Sequence, residues 1–357
     1  MFDPQKPYDS LPLLPTGFNY EQVQLLKQVN KSNIALAKLN IRAEKIPNSL
    51  LLVSPLLVRE SVASSGIENI NTTTLEVFEA EIKPEKERSG PAKEVLHYRD
   101  AMQYGLGIIK KKNTLNLHDL EKIQAMIEPE KKGFRTAQVR IADFISKKVL
   151  YTPPSSQALP KLLENLEEFI NDTRLDIDPL IRMAVIHHQF ESIHPFLDGN
   201  GRVGRILMIL YLVMMGRLHP PILFISGYIL ENRKSYYDHL RESNETGDLT
   251  SIIMFLLKAI ELQSMQTEIT IKKIEDLMGK CQVIMDGKLK GYKSNLLSCV
   301  FSRPFLTIDY AQHYLKLSSR QTASKYLSSL SKLGLLKEQR AGNQKFFYSR
   351  EFLQLLS

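Results

Sequence analysis

The residues most suited to chemistry lie together in one segment, residues 194–205. It reads HPFLDGNGRVGR and holds one histidine, one carboxylate, three glycines and two arginines. An apolar helical pattern from Pro179 to about Ile193 precedes it, and a second helical pattern begins near Gly201. The segment is therefore predicted to be a turn between two helices, with the first helix ended by Pro195.

The start of the second helix has the features of an anion site. The first N–H groups of a helix lack partners inside it, and the helix dipole favours negative charge there. Gly199 and Gly201 let the backbone approach a ligand closely. Arg202 and Arg205 are three residues apart, so both lie on one face of the helix and add two cationic groups. Together these features predict a polyphosphate ligand.

Asp198 and His194 supply the remaining chemistry of the turn. A carboxylate beside phosphates commonly holds Mg²⁺, which takes its other ligands from phosphate oxygens and water. A histidine titrates near neutral pH, so His194 is a candidate general base for an incoming hydroxyl. Each residue by itself is more often a core or surface group, and it is their combination in one turn that favours a functional site.

Other site motifs fail on their context. Residues 199–204 satisfy G-x-G-x-x-G but follow a helix and a proline, whereas a dinucleotide site follows a strand. No Gly-Lys-Ser/Thr follows, so the segment is not a P-loop. The cluster of His187, His188, Glu191 and His194 lacks the H-E-x-x-H order of a zinc site. His187 and His188 are therefore predicted to support the core or the turn.

Helical periodicity extends over most of the chain and predicts a mainly α fold. The clearest helical segments are 21–43, 56–67, 117–127, 159–171, 180–190 and 249–263. Ser54 and Asp178 each precede a proline and are expected to cap helices. The exception is a small β-hairpin within residues 138–152, formed by QVRIADF and KVLYT and ended by two prolines.

Positive charge is concentrated at the C-terminus. Residues 290–357 contain 11 Lys and Arg against three Asp and Glu, an excess equal to the +8 net charge of the whole chain. Two short helical patterns followed by two strand-like pieces around Ala341-Gly342-Asn343 predict a winged helix-turn-helix. Its candidate phosphate contacts are Ser319, Arg320, Thr322, Lys325, Arg340 and Lys345. DNA binding and protein docking are equally compatible with such a module.

The composition excludes several classes of protein. The 357 residues, 43% apolar and 24% charged, have the composition of a folded protein. Cys281 and Cys299 are too few and too isolated for a disulfide framework or a four-ligand zinc site. No apolar run reaches the ~20 residues of a membrane span, and the opening MFDPQKPYDS lacks a signal-peptide pattern. We expect a cytoplasmic protein without a membrane partner.

The turn resembles the signature of the Fic family, H-x-F-x-[D/E]-G-N-G-R-x-x-R, at every defined position from His194 to Arg205. The resemblance implies a Fic-type helical core with a hairpin flap, and an enzyme that transfers AMP from ATP to a Ser, Thr or Tyr hydroxyl of a protein, releasing diphosphate. The resemblance covers a core of about 113–255 and leaves an N-terminal helical region 1–112 before it. A helical linker 256–289 then leads to the basic winged-helix domain 290–357.

Individual roles follow from the resemblance. His194 is implied to be the base and Asp198 the Mg²⁺ ligand. The residues implied to contact the nucleotide are Gly199, Asn200, Gly201, Arg202, Val203, Gly204 and Arg205. Among these, Arg202 would bind the β-phosphate and Arg205 the γ-phosphate, and Tyr237 would line the adenosine pocket, although Tyr236 and Tyr237 could equally be core aromatics. The hairpin 141–151 would pair with a target protein by strand addition. Self-modification and a homodimer stay open.

A second pattern of the same family occurs in the predicted helix 55–69. Ser64, Glu68 and Asn69 match the inhibitory pattern [S/T]-x-x-x-E-[G/N], and Ser64 and Glu68 lie one helical turn apart. The Glu68 carboxylate has the charge and shape to occupy Arg205 in place of the γ-phosphate. Autoinhibition is therefore expected. The alternatives are another nucleotidyl or phosphoryl transfer, AMP removal at the same site, or a DNA-binding regulator whose core only senses nucleotide.

Overall fold

The computed structural model describes residues 2–45, 52–83, 85–142, 146–289, 295–341 and 344–356. Its helices are α1 (Val23–Glu44), α2 (Val53–Ile67), α3 (Thr74–Glu81), α4 (Gly90–Lys112), α5 (Leu117–Ile127), α6 (Leu159–Asn171), α7 (Pro179–Ile193), α8 (Asn200–Met214), α9 (Ile225–Glu231), α10 (Arg233–Thr246), α11 (Thr250–Lys288), α12 (Leu296–Ser302), α13 (Ile308–Tyr314), α14 (Arg320–Lys332) and α15 (Arg350–Leu356). The mainly α prediction is confirmed.

The strands form two small antiparallel sheets. β1 (Ile141–Ala142) pairs with β2 (Val149–Tyr151), with Ile141 opposite Tyr151. β3 (Phe305–Thr307), β5 (Gln344–Tyr348) and β4 (Lys337–Ala341) form the second sheet in that order. The predicted hairpin is therefore present with short strands. Its residues 143–145, and Gly342 and Asn343 of the predicted wing turn, lie outside the described residues.

The helix boundaries correct two predictions. Asp178 caps α7 as expected, accepting a hydrogen bond from the Leu180 N–H at 2.8 Å. The Ser54 prediction is wrong because α2 begins at Val53, two residues before the predicted start at Pro55, which places Ser54 inside the first turn. The predicted helix 55–69 also ends two residues early. Glu68 is its C-cap, because Asn69 takes a left-handed conformation with φ 64°, which asparagine tolerates better than most residues.

α11 continues far beyond the predicted segment 249–263. It has 39 residues and is about 58 Å long at 1.5 Å per residue, so the predicted linker 256–289 is largely part of one helix. Its second half buries apolar side chains at helical spacing, among them Ile271, Ile274, Met278 and Met285. The interleaved lysines and glutamates of this half made its apolar face hard to see in the sequence.

α7 and α8 form the centre of the core. Every residue from Ile206 to Leu212 on α8 is at most 1% exposed. α8 packs against α7, α4 and α5, while α2 lies against α4 and α9, and α1 runs along α11. Burial on all sides fixes both helices firmly. The turn between them is therefore held at each end by the best-packed part of the molecule.

The C-terminal residues have the element order of a winged helix-turn-helix, with α13 and α14 followed by the β4–β5 hairpin. Several of the candidate DNA contacts already have partners. Arg320 Nε lies 2.6 Å from Asp309, Lys345 Nζ lies 2.8 Å from Glu338, and Ser319 caps α14. α15 returns to pack against α11 and α2. Among the described helices, none is long and apolar enough to cross a membrane.

Gly105 and Gly107 of α4 form a matched pair that tests this packing. A Cβ on Gly105 would overlap Leu210 Cδ1 of α8, whereas a Cβ on Gly107 would meet no atom within 4 Å. We expect Gly105→Ala to lower stability by about 1–3 kcal/mol through overpacking. Gly107→Ala should raise it by about 0.5–1 kcal/mol, because alanine favours the helix. The thermal midpoints should shift in opposite directions, and an upward shift for Gly105→Ala would contradict the α4–α8 contact.

Candidate active site

The turn after α7 places His194 in an unusual conformation. His194 is the C-cap of α7 with φ 49° and ψ 59°, and its N–H donates to the Phe190 carbonyl at 2.9 Å. A left-handed conformation costs about 1–2 kcal/mol for a residue with a Cβ, so the surrounding contacts must maintain it. The predicted helix end before Pro195 and the helix start near Gly201 are both confirmed, with α8 beginning at Asn200.

Asn200 and Gly199 shape the turn. The Asn200 side chain accepts from the Phe196 N–H and donates to the Phe196 carbonyl, both at 2.8 Å. Gly199 has φ 82°, which a residue without a Cβ adopts easily. The Asn200 side-chain amide therefore stabilises the turn by bonding to the Phe196 backbone. Its backbone N–H remains one of the unpaired groups at the start of α8.

Arg135 holds the backbone of His194 through hydrogen bonds. This side chain is 3% exposed, and it donates from Nε to the His194 carbonyl at 2.8 Å and from Nη2 to the Pro154 carbonyl at 2.6 Å. Its own N–H donates to the Pro195 carbonyl at 2.9 Å. Arg135 thus connects the turn to the segment that follows the hairpin. Burial, together with the Arg135 charge, lowers the pKa of His194 to about 4, so the imidazole is neutral at pH 7.

Arg205 is almost fully buried and is held by α2. Its Nε donates to Ser64 Oγ at 2.8 Å, and its Nη2 donates to the Ser64 carbonyl and to Glu68 Oε1, each at 2.9 Å. Its Nη1 has no hydrogen-bond partner among the described residues. A Cβ on Gly201 would overlap Glu68 Oε1 and lie 2.9 Å from Arg205 Nη1. The absence of a side chain at Gly201 is what lets the carboxylate reach the start of α8.

Arg202 and Asp198 are held by the end of α5. Arg202, 3% exposed, donates from Nη2 to the Glu128 carboxylate and lies 3.7 Å from Asp198 Oδ1. Asp198 Oδ2 lies 2.6 Å from Lys131 Nζ. Burial alone would raise the pKa of Asp198, but Lys131, the Gly199 N–H and the Arg202 charge together bring it below its usual value. Both arginines of the turn therefore have carboxylate partners that come from outside it.

The residues present suit a magnesium ion that shares its ligands with phosphate. The described residues contain no cluster of three or more His, Cys, Asp or Glu that could hold a metal. Asp198 is a single carboxylate with a 40% exposed side chain, and a cationic ammonium group already lies against one of its oxygens. Mg²⁺ commonly binds through one carboxylate, phosphate oxygens and water. The fit is therefore to metal-bound nucleotide rather than to a free ion.

The structure separates the two tyrosines left open by the sequence. Tyr236 is 1% exposed and its hydroxyl lies 2.7 Å from His187 Nε2, so it is a core residue. Tyr237 is 39% exposed, and its ring lies 5.8 Å from the Arg233 guanidinium. Burial raises the pKa of Tyr237 to about 12, and the nearby Glu68 charge acts in the same direction. Tyr237 is therefore the member of the pair that is accessible beside the inhibitory segment.

Val203 and Gly204 lie on the inner side of α8. Val203 is fully buried, and a Cβ on Gly204 would overlap Glu191 Oε1. The absence of a Cβ at Gly204 makes room for the carboxyl of Glu191, whose Oε1 has no hydrogen-bond partner in the described parts of the chain. Burial raises the pKa of Glu191 to about 8. Any contact of Val203 and Gly204 with a nucleotide would be through the backbone.

Four residues around the turn were not assigned to the site from the sequence. They are Glu128, Lys131, Arg135 and Glu191. Arg135 precedes the predicted hairpin and Glu191 lies three residues before His194, but neither was given a role in the site. Glu128 and Lys131 lie about 70 residues before the turn, and nothing in their local sequence distinguishes them from solvent-exposed charges.

Comparison with known proteins supports the resemblance along most of the chain. A model described as the Fic/DOC family N-terminal region matches residues 26–107, and the Fic/DOC family model matches residues 114–212. A model of the C-terminal domain of protein adenylyltransferase SoFic-like proteins matches residues 279–352. The three matches follow one another in order without overlap.

Curated relatives cover parts of the chain. Protein adenylyltransferase fic-1 of Caenorhabditis elegans is 35% identical over 128 residues, which are 36% of this chain and 22% of the relative. Protein adenylyltransferase Fic of Aedes aegypti is 27% identical over 247 residues, 66% of this chain and 44% of the relative. The chain thus spans less than half the length of these relatives.

Solved structures share the fold. A Fic family protein from Desulfovibrio desulfuricans G20 aligns with a TM-score of 0.58 at 20% identity, covering 92% of this chain and 97% of that one. Fic-1 from C. elegans aligns with a TM-score of 0.53 at 22% identity, covering 71% and 75%. With the complete signature between α7 and α8 and family matches to the N-terminal, core and C-terminal parts, the chain belongs to the Fic/DOC family.

Proposed function

We propose that this protein is a protein adenylyltransferase, which transfers AMP from ATP to a hydroxyl group of a target protein and releases diphosphate. The observation that carries the proposal is the buried Arg205 guanidinium, which holds a carboxylate 2.9 Å away beside the first turn of α8. A carboxylate in that position resembles a bound phosphate in charge and shape. The names of the two curated relatives described above, both protein adenylyltransferases, support the same activity.

The residues of the turn divide the reaction between them. The neutral His194 accepts the proton of the target hydroxyl as its oxygen attacks the α-phosphorus, and the bond from that phosphorus to the bridging oxygen of the β-phosphate breaks. Arg202 and Arg205 hold the β- and γ-phosphates and stabilise the charge that develops on the departing diphosphate. Mg²⁺, held by Asp198, would neutralise phosphate charge when bound.

The hairpin is the proposed docking element for the target. β2 is joined to the end of α7 by the Tyr151 hydroxyl, which donates to the Ser192 carbonyl at 2.7 Å, and Arg135 contacts the Pro154 carbonyl just beyond β2. An extended segment of the target that adds to this sheet would be aligned by backbone hydrogen bonds. Its binding would therefore depend more on its extended conformation than on its side chains. These contacts near the turn would then place the hydroxyl of the target segment beside His194.

Glu68 is the proposed inhibitory residue. A γ-phosphate and the Glu68 carboxylate require the same Arg205 donors, so they cannot both bind in the observed way. ATP that enters beside Glu68 would have to place its terminal phosphate elsewhere, which shifts the α-phosphorus away from in-line attack. Small misplacements of reacting atoms reduce rates by about 100-fold. The Ser64 contacts with Arg205 would remain after Glu68 is removed and keep the guanidinium in place.

The first prediction concerns the product of the reaction. We expect Glu68→Gly to increase the incorporation of label from α-labelled ATP by about 10- to 100-fold, in cell lysate or into the protein itself, because Arg205 becomes available to the γ-phosphate. Label from γ-labelled ATP should not be incorporated, which separates AMP transfer from phosphorylation. The matched control is Glu68→Gly combined with His194→Ala, which should incorporate neither. Labelling equal to that of the unaltered protein would remove Glu68 from the mechanism.

The second prediction concerns pH. His194 acts as a base only when unprotonated, and its pKa lies at about 4 rather than the ordinary 6.5 because of burial and the Arg135 charge. Protonation should therefore limit the reaction only well below pH 6.5. In Glu68→Gly the removal of a negative charge lowers this pKa further. The rate of AMP transfer by that variant, measured from pH 4.5 to 8, should show no acidic midpoint near 6.5; a midpoint there would mean that the imidazole is not in the described environment.

A further inference from the structure

The turn that follows α5 supplies two charged side chains to the anion site. Glu128 is the C-cap of α5, and its carboxylate accepts a hydrogen bond from Arg202 Nη2. Lys131, three residues later, places its Nζ 2.6 Å from Asp198 Oδ2. We call residues 128–131 the α5 turn. No role was assigned to it from the sequence or from the proposed reaction.

A buried glutamine fixes the α5 turn against the site. Gln124 is fully buried and donates from Nε2 to the Lys131 carbonyl at 2.9 Å and to the Asp198 carbonyl at 3.2 Å. Its Oε1 accepts from the Gly133 N–H at 3.1 Å. Glu128 Cγ also lies only 3.3 Å from the position that a Cβ on Gly199 would occupy. The backbones of the α5 turn and of the turn between α7 and α8 are thus joined through Gln124.

The two charges are arranged like those of a metal-bound phosphate. The Glu128 carboxylate contacts the Arg202 cation where a phosphate would bind. The Lys131 ammonium contacts the Asp198 carboxylate where a metal ion would bind. Within the described residues Arg202 Nε and Nη1 have no hydrogen-bond partner, although the side chain is only 4% exposed; Nη1 makes only a longer ion pair, 3.8 Å from Glu94 Oε2. A buried guanidinium with unsatisfied N–H groups favours an acceptor that has more oxygens than a single carboxylate.

We propose that Glu128 and Lys131 are internal counter-ions of the β-phosphate site, displaced when a metal-bound nucleotide occupies Arg202 and Asp198. The proposal rests on the proposed function, because it takes the ligand of Arg202 to be the β-phosphate. It makes Glu128 a determinant of affinity for every nucleotide that carries a β-phosphate. Glu68, which lies on Arg205, affects only nucleotides with a γ-phosphate.

The contact between Glu128 and Arg202 differs from an ordinary surface ion pair. Exposed ion pairs contribute little because water replaces either partner easily. Here the Arg202 side chain is desolvated, and its other two carboxylates, Asp198 and Glu94, lie 3.7 and 3.8 Å away, beyond hydrogen-bonding distance. Removing the charge of Glu128 therefore leaves a buried cation that gains more from an incoming phosphate. Glu130 provides the comparison within the same turn. It is an exposed carboxylate for which the structure records no ion pair with the described residues.

Binding of AMP, ADP and ATP in the presence of Mg²⁺, measured by isothermal titration calorimetry, tests the proposal without relying on catalysis. We expect Glu128→Gln to lower the Kd of ADP and of ATP by about three- to tenfold, the scale of one charge-assisted contact, and to leave that of AMP unchanged. Glu68→Gly should change the Kd of ATP but not of ADP. The control Glu130→Gln should change none. Lys131→Met should lower the Mg²⁺ concentration needed for half-maximal ADP binding.

The outcomes separate this inference from the proposed function. An unchanged or higher Kd of ADP in Glu128→Gln, with the thermal midpoint preserved, would show that Glu128 supports the site instead of competing with its ligand. If Glu128→Gln does not fold, an unchanged Mg²⁺ requirement in Lys131→Met would overturn the proposal by itself. Failure of every variant to bind ADP or ATP would overturn both the proposal and the proposed function, whereas label transfer by Glu68→Gly leaves the latter standing.

Discussion

The burial of the Arg205 guanidinium is the constraint on which the arrangement of the site depends. A charge that is 1% exposed is costly unless it has a counter-charge and hydrogen bonds. Ser64 and Glu68 supply them from the end of α2, and no residue of the turn itself does so. Burial is the largest single influence and lowers the pKa of Arg205, but Glu68 together with Tyr236, Tyr237 and Tyr98 outweighs it, so this pKa lies above its usual value. The position of α2 on the core is thus tied to one arginine of α8.

A second buried polar group holds α2 in the same place. Glu60, 1% exposed, accepts from the Ser226 N–H at 3.0 Å and from the Tyr98 hydroxyl at 3.4 Å, which joins α2 to α9 and α4. Burial raises the pKa of Glu60 to about 7, while the Ser226 and Tyr98 hydrogen bonds act in the opposite direction. One turn of α2 separates this anchor from Ser64. The end of α2 that carries Glu68 is therefore positioned both by the Glu60 contacts and by the Ser64 contacts with Arg205.

Local sequence was enough to predict the turn but not its neighbours. Pro195, Gly199 and the apolar run in α8 fix where two helices end and begin, because each acts through its own backbone or burial. Glu128 and Glu130 flank the same proline and look alike in the sequence, yet only Glu128 lies against Arg202. That difference arises from how α5 packs on α8, which no local pattern contains. The full length of α11 was missed for a related reason, since its apolar face is recognisable only where partners cover it.

The hydrogen atom in place of a side chain at Gly201 has a consequence for how this protein can vary. A methyl group there would overlap the Glu68 carboxylate and crowd the guanidinium of Arg205 at the same time. A substitution at this position would therefore alter the resting contact and the proposed phosphate position together, and neither could be changed alone. A mutation that relieves inhibition and keeps the nucleotide site intact must therefore lie on the α2 side of the contact. Spontaneous activating variants would accordingly accumulate at the end of α2 and not in the signature turn.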